Sequence, residues 1–75
     1  MWNYRVIKTT KFGVSYGIYE VYYTKGKPTS WSAEPIYPIG ETFMDLIEDF
    51  NYMKEALLKP ILELKNGKLI NLTNK

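Results

Sequence analysis

Ser15-Tyr16-Gly17-Ile18-Tyr19-Glu20-Val21-Tyr22-Tyr23 decides the fold reading, because tyrosine and β-branched residues at this density favour an extended strand over a helix. A turn signal stands on either side. Upstream, Lys11-Phe12-Gly13 separates this strand from Trp2–Thr9, in which Trp2, Tyr4, Val6 and Lys8 alternate with Asn3, Arg5, Ile7 and Thr9. Downstream, Thr24-Lys25-Gly26-Lys27-Pro28 turns the chain into a shorter third strand at Thr29–Ala33. Pro35 and Pro38 then take the chain out of the sheet, since proline has no amide hydrogen to give to a ladder. Residues 1–34 are therefore expected to form three antiparallel strands.

The next segment changes period. Thr42 is a good helix N-cap, and Asp45 follows three residues later, a near match to a capping box that also complements the helix dipole. Phe43, Leu46, Ile47, Phe50, Met53 and Leu57 recur at steps of three and four, with Asp45, Glu48, Asp49, Tyr52 and Glu55 on the other side. This predicts an amphipathic helix over 42–59, ended by Pro60. Beyond it, Ile61–Leu64, the turn pair Asn66-Gly67 and Leu69–Leu72 read as a short strand or β-hairpin within 61–72. With few apolar residues of its own, that hairpin is expected to be the least stable part of the chain. The fold class predicted is α+β: one domain over 1–75, with a three-stranded antiparallel sheet packed on one helix.

Pairing the first two strands around residues 10–15 sets Arg5 opposite Glu20, Ile7 opposite Ile18 and Thr9 opposite Tyr16. The second turn sets Val21 opposite Trp31 and Tyr19 opposite Ala33. Alternation then divides the sheet into two faces. Trp2, Tyr4, Val6, Tyr19, Val21, Tyr23, Trp31 and Ala33 form the ring-rich face expected under the helix stripe. Arg5, Ile7, Tyr16, Ile18, Glu20 and Tyr22 fall on the opposite, open face, which is expected to contact a protein partner or a second copy. Two alternatives leave this face without a partner: the terminal hairpin folds over it, or its tyrosines simply cover it.

Composition narrows the chemistry. The 75 residues are 45% hydrophobic and 24% charged, ordinary for a globular chain, with an aromatic share of 16%. Large rings suit a small domain, which buries a smaller fraction of its surface than a large one. There is no cysteine and no histidine. Disulfides, thiolate nucleophiles and the commonest general base and zinc ligands are thereby excluded. Ser15, Ser30 and Ser32 lack any supporting nucleophile motif, the acidic helix positions read as a solvated face, and the five glycines stand too far apart for a phosphate loop. No catalytic, metal or cofactor site is expected. No leader-like or membrane-spanning apolar run occurs, so a cytoplasmic location is the expectation.

Net charge is only +2, but it is unevenly spread. Arg5, Lys8, Lys11, Lys25 and Lys27 against Glu20 leave residues 1–30 at +4, while six carboxylates against Lys54 and Lys59 leave residues 31–59 at −4. The expected polarity is a basic sheet end and an acidic helix.

Trp2-Asn3-Tyr4-Arg5, Tyr16-Gly17-Ile18-Tyr19-Glu20-Val21-Tyr22-Tyr23, Gly26-Lys27-Pro28, Trp31 with Glu34-Pro35, Gly40-Glu41-Thr42 and Lys59-Pro60-Ile61-Leu62 together resemble a group of short bacterial proteins without an assigned activity. More distantly, three strands followed by Gly40, Thr42 and an amphipathic helix look like the HicB-like antitoxin domain. That resemblance implies masking of a small toxin. The segment Pro35-Ile36-Tyr37-Pro38 departs from that family's loop, and the residues from Pro60 to Lys75 are too few for its DNA-binding segment. The function expected is a non-enzymatic protein-binding module, inhibitory or antitoxin-like, able to form a homodimer. The alternative is a single-stranded nucleic-acid binder that stacks bases on tyrosines, disfavoured by Glu20 beside Arg5.

Overall fold

The structure, a computed structural model, describes residues 1–72. Its elements are β1 (Trp2–Thr9), β2 (Ser15–Thr24), β3 (Lys27–Trp31), α1 (Phe43–Lys54), a 3-10 turn (Glu55–Leu58), β4 (Leu62–Lys65) and β5 (Lys68–Asn71). All five strands belong to one mixed sheet in the order β3-β2-β1-β4-β5, with β1 and β4 parallel and the other pairs antiparallel. The sheet curls until β3 and β5 approach one another, giving a nearly barrel-shaped body.

This corrects the expected architecture. A three-stranded antiparallel sheet on a helix is replaced by a five-stranded mixed sheet whose core lies within its own curve. Ile7, Tyr19, Val21, Leu62 and Leu69 form that core, with Tyr23, Trp31 and Leu64 packed against it, and every one of these side chains comes from a strand. The terminal hairpin is thus a structural part of the sheet. Asn66 and Gly67 both adopt positive φ, as a tight hairpin turn requires, and the turn aims Leu69 into the core beside Leu62. It lines the concave face and does not reach the other face of β1 and β2.

The register of β1 and β2 differs from expectation by one residue. Arg5 pairs with Tyr19, Ile7 with Gly17 and Thr9 with Ser15, because the connecting loop holds five residues rather than six. A one-residue slip moves every side chain of one strand to the opposite face relative to its neighbour. Asn3, Arg5 and Ile7 therefore share the concave face with Tyr19 and Val21, while Trp2, Tyr4 and Val6 share the convex face with Ile18, Glu20 and Tyr22. The expected pair Val21–Trp31 is present. Ala33 lies beyond β3; there the chain follows β2 through the Ser32 amide donating to the Glu20 carbonyl, the Glu20 amide donating to the Ser32 hydroxyl and the Ile36 amide donating to the Ile18 carbonyl.

The helix starts as its capping residues require. Thr42 is extended, and its hydroxyl accepts from the Asp45 amide at 3.0 Å. The regular α-helix is shorter than 42–59, since it tightens into the 3-10 turn at Glu55. Gly40 lies so close to the first helical turn that a Cβ there would overlap the Leu46 amide nitrogen and the Asp45 carbonyl carbon. The helix rests on the convex face of the sheet through Met53 and Ala56, both buried, with Val6 buried on the strand side.

Candidate functional site

The six residues assigned to one open face do not form one. Ile7 is 0% exposed at the centre of the core and is closed to any partner. Arg5 lies on the concave side as well. Its Nη2 and Nε donate to the Pro60 carbonyl at 2.6 and 3.2 Å, and its Nη1 donates to the Tyr23 hydroxyl at 2.9 Å. These bonds brace the entry to β4, which makes Arg5 a strut. Tyr16, Ile18, Glu20 and Tyr22 do share the convex face, but Ile18 is half-buried and Tyr22 donates its hydroxyl to the Glu20 carboxylate. That bond, more than its slight loss of solvent, raises the Tyr22 phenol above its ordinary pKa.

The helix holds two contrasting surfaces. Along its acidic side, Asp45, Glu48, Asp49 and Glu55 line an open cleft of about 780 Å³ with Tyr4 and Tyr52. Trp2, Tyr4 and Tyr52 meet there edge to face, with ring centroids 5.1 to 6.4 Å apart. Asp49 fastens this corner: it accepts from the Tyr4 hydroxyl at 3.3 Å and from the Ile39 amide at 2.9 Å. Burial, then the Asp49 charge, lifts the Tyr4 phenol above its usual pKa. Among the described residues no group of carboxylates is placed to hold a metal ion.

The other surface is apolar and faces outward. At 3.6 residues per turn, Asp49, Tyr52, Met53 and Ala56 define the arc that meets the sheet, whereas Phe43, Ile47, Phe50, Lys54 and Leu57 lie roughly 120° away from it. Of the stripe read as core packing, Met53 is buried and Leu46 and Ile47 are half-buried, while Phe43, Phe50 and Leu57 stand largely in solvent. Phe43 is 74% exposed, Phe50 51%, Leu57 65% and Leu58 86%. The physical reason is that the curled sheet completes a core without the helix, leaving only Met53, Ala56 and their neighbours to close the convex side.

Beside the stripe runs a groove of about 300 Å³, floored by Gly17, Ile18 and Met53 and walled by Pro35–Pro38 on one side and Phe50 and Leu57 on the other. Gly17 lets the two segments approach closely here: a Cβ would stand only 3.1 Å from that of Pro35, which would have to give by a few tenths of an ångström. Among the described residues Lys54 is the one cation on the rim, its ammonium 5.6 Å from the Phe50 ring centroid. Sequence reasoning found the stripe; Met53 packs as expected, but Phe43, Phe50 and Leu57 do not. A signal was available in the adjacent pair Val6 and Ile7, both buried, since a strand apolar on both sides has both faces covered.

No protein-family model, curated protein or solved structure matches the chain. Among the described residues, no helix is long and apolar enough to cross a membrane.

Proposed function

We propose that this chain is a non-enzymatic protein-binding module whose contact surface is the outward apolar stripe of α1 with its adjoining groove. The observation that carries the reading is exposure along a capped, amphipathic helix: Met53 is buried, yet Phe43, Phe50 and Leu57 of the same apolar side stand largely in solvent. Taking roughly 200 Å² for each large apolar side chain, the exposed fractions of Tyr37, Phe43, Met44, Phe50, Leu57 and Leu58 amount to about 800 Å². That exceeds the few hundred Å² usual for apolar patches on monomers and equals one side of a standard protein interface. The absence of histidine and cysteine supports a role without catalysis. Masking of a toxin-like partner, which the likeness to HicB-like domains implies, is one form of this activity.

Affinity capture from cells that make the protein tests the reading, with wild type and Phe43→Lys compared at low and high salt after nuclease treatment. A protein retained by wild type at high salt and lost with the variant supports it, because apolar contacts resist salt. A ligand lost on nuclease treatment or at high salt, and indifferent to position 43, overturns it in favour of nucleic acid.

A further inference from the structure

We infer that the stripe pairs with the same stripe of a second copy, the two helices running antiparallel about a two-fold axis; this rests on the protein-binding reading above and names the partner. Phe43, Ile47, Phe50, Lys54 and Leu57 are separated by four, three, four and three residues, the spacing at which two helices interdigitate side chains along a seam. Regular α-helix spans Phe43–Lys54, and the 3-10 turn carries Leu57 onto the same side, where it walls the groove with Phe50.

The flanks of this seam decide for self-pairing. Met44, Asn51 and Leu58 border it on one side and Leu46 and Met53 on the other, so no charge borders it on either. Asp45, Glu48, Asp49 and Glu55 all project elsewhere on the helix. Two copies therefore meet without the like-charge opposition that so acidic a helix would otherwise impose. An exposed apolar area of about 800 Å² per copy matches what each side of a standard interface buries.

Lys54 decides the orientation. In a parallel pair equivalent positions lie in the same layer, and the two Lys54 ammonium groups would be forced together. In an antiparallel pair each seam position faces the other type of position, so Lys54 meets a phenylalanine of the partner. It already stands over an aromatic ring within its own chain, at 5.6 Å from that of Phe50, and the same cation–ring contact can form across the seam.

The test is molar mass by sedimentation equilibrium from low micromolar concentration upward, with circular dichroism on each sample. Wild type is expected to rise from 8.8 kDa toward twice that mass. Phe43→Lys should keep the native spectrum and weaken association by at least about 100-fold, because an ammonium would lose its water in the seam. Glu48→Lys, on the acidic side, should associate as wild type does. Wild type that stays monomeric overturns self-pairing, as does a folded Phe43→Lys that dimerises normally. A monomer that still captures another protein through position 43 sinks self-pairing alone and leaves the protein-binding reading standing. For orientation, the cysteine-free chain permits a mixed oxidation of Met44→Cys with Leu58→Cys. A predominant mixed disulfide supports the antiparallel pair, and predominant same-site disulfides overturn it.

Discussion

Replacing Ile7 and Phe50 in turn by alanine separates core from surface. Ile7 is fully buried in β1, which is paired on one edge with β2 and on the other with β4, so the backbone cannot move in to fill a cavity among Tyr19, Val21 and Leu62. Truncating such a residue costs about 2–5 kcal/mol, and a site held on both edges belongs in the upper half of that range. Phe50 is half exposed. Full burial of its ring would contribute about 1.5–3 kcal/mol, so Phe50→Ala should cost about 1 kcal/mol. Against a total of roughly 4–11 kcal/mol for a chain of this length, the first change leaves the domain barely folded and the second leaves it sound. Equilibrium urea denaturation, followed by circular dichroism, reads both. With a slope near 1 kcal/mol per molar, Ile7→Ala should lower the midpoint by about 3.5–5 M and Phe50→Ala by about 1 M. Equal losses would show that the helix stripe is packed as core, and the outward surface would fall.

Three further outcomes follow from the same contacts. Ending the chain after Lys65 removes β5 and exposes Leu62 and the core around it; cooperative unfolding in urea should be lost, and a truncated chain melting like wild type would show that the hairpin is dispensable. Gly40→Ala should destabilise by about 1–3 kcal/mol in the same assay, because the new methyl meets backbone of the first helical turn; an unchanged midpoint would contradict that close approach. Tyr4 keeps its proton to a higher pH in the folded state than the ordinary value of 10.0, so its contribution is complete below that pH and is lost as pH rises through the folded value. Tyr4→Phe should flatten the alkaline loss of stability, measured as urea midpoint against pH, and an undiminished slope would refute the assignment.

Local features of the chain were legible in the sequence. The strands around Val6 and Val21, the Thr42 cap and the Asn66-Gly67 turn all follow from residue type and spacing, and the structure has each of them. What failed depends on distance along the chain. The loop after Thr9 admits two lengths, and a single residue there exchanges the faces of β1 relative to β2. Parallel pairing of β4 with β1 joins segments some 55 residues apart, as Ile7 beside Leu62 shows, and no local pattern announces it. With the segment beyond Leu64 read as the least stable part, the helix is the cover expected for the ring-rich face, whereas Leu62 and Leu69 both lie in the core. The stripe at Phe43, Phe50 and Leu57 was visible as a pattern, but periodicity records which residues share a side and not what that side meets. Of the six residues that alternation places on the open face, Ile7 lies in the core and Arg5 braces Pro60 because of that same one-residue shift.

The central claim, that contact occurs through α1 and not through the strands, is tested most directly by amide chemical shifts of the labelled protein across a concentration series. Shifts concentrated at Phe43, Ile47, Phe50, Lys54 and Leu57, with smaller changes at Ile36 and Tyr37, are the predicted result. Changes confined to Tyr16, Glu20 and Tyr22 would place the contact on the convex face of the sheet and contradict the account.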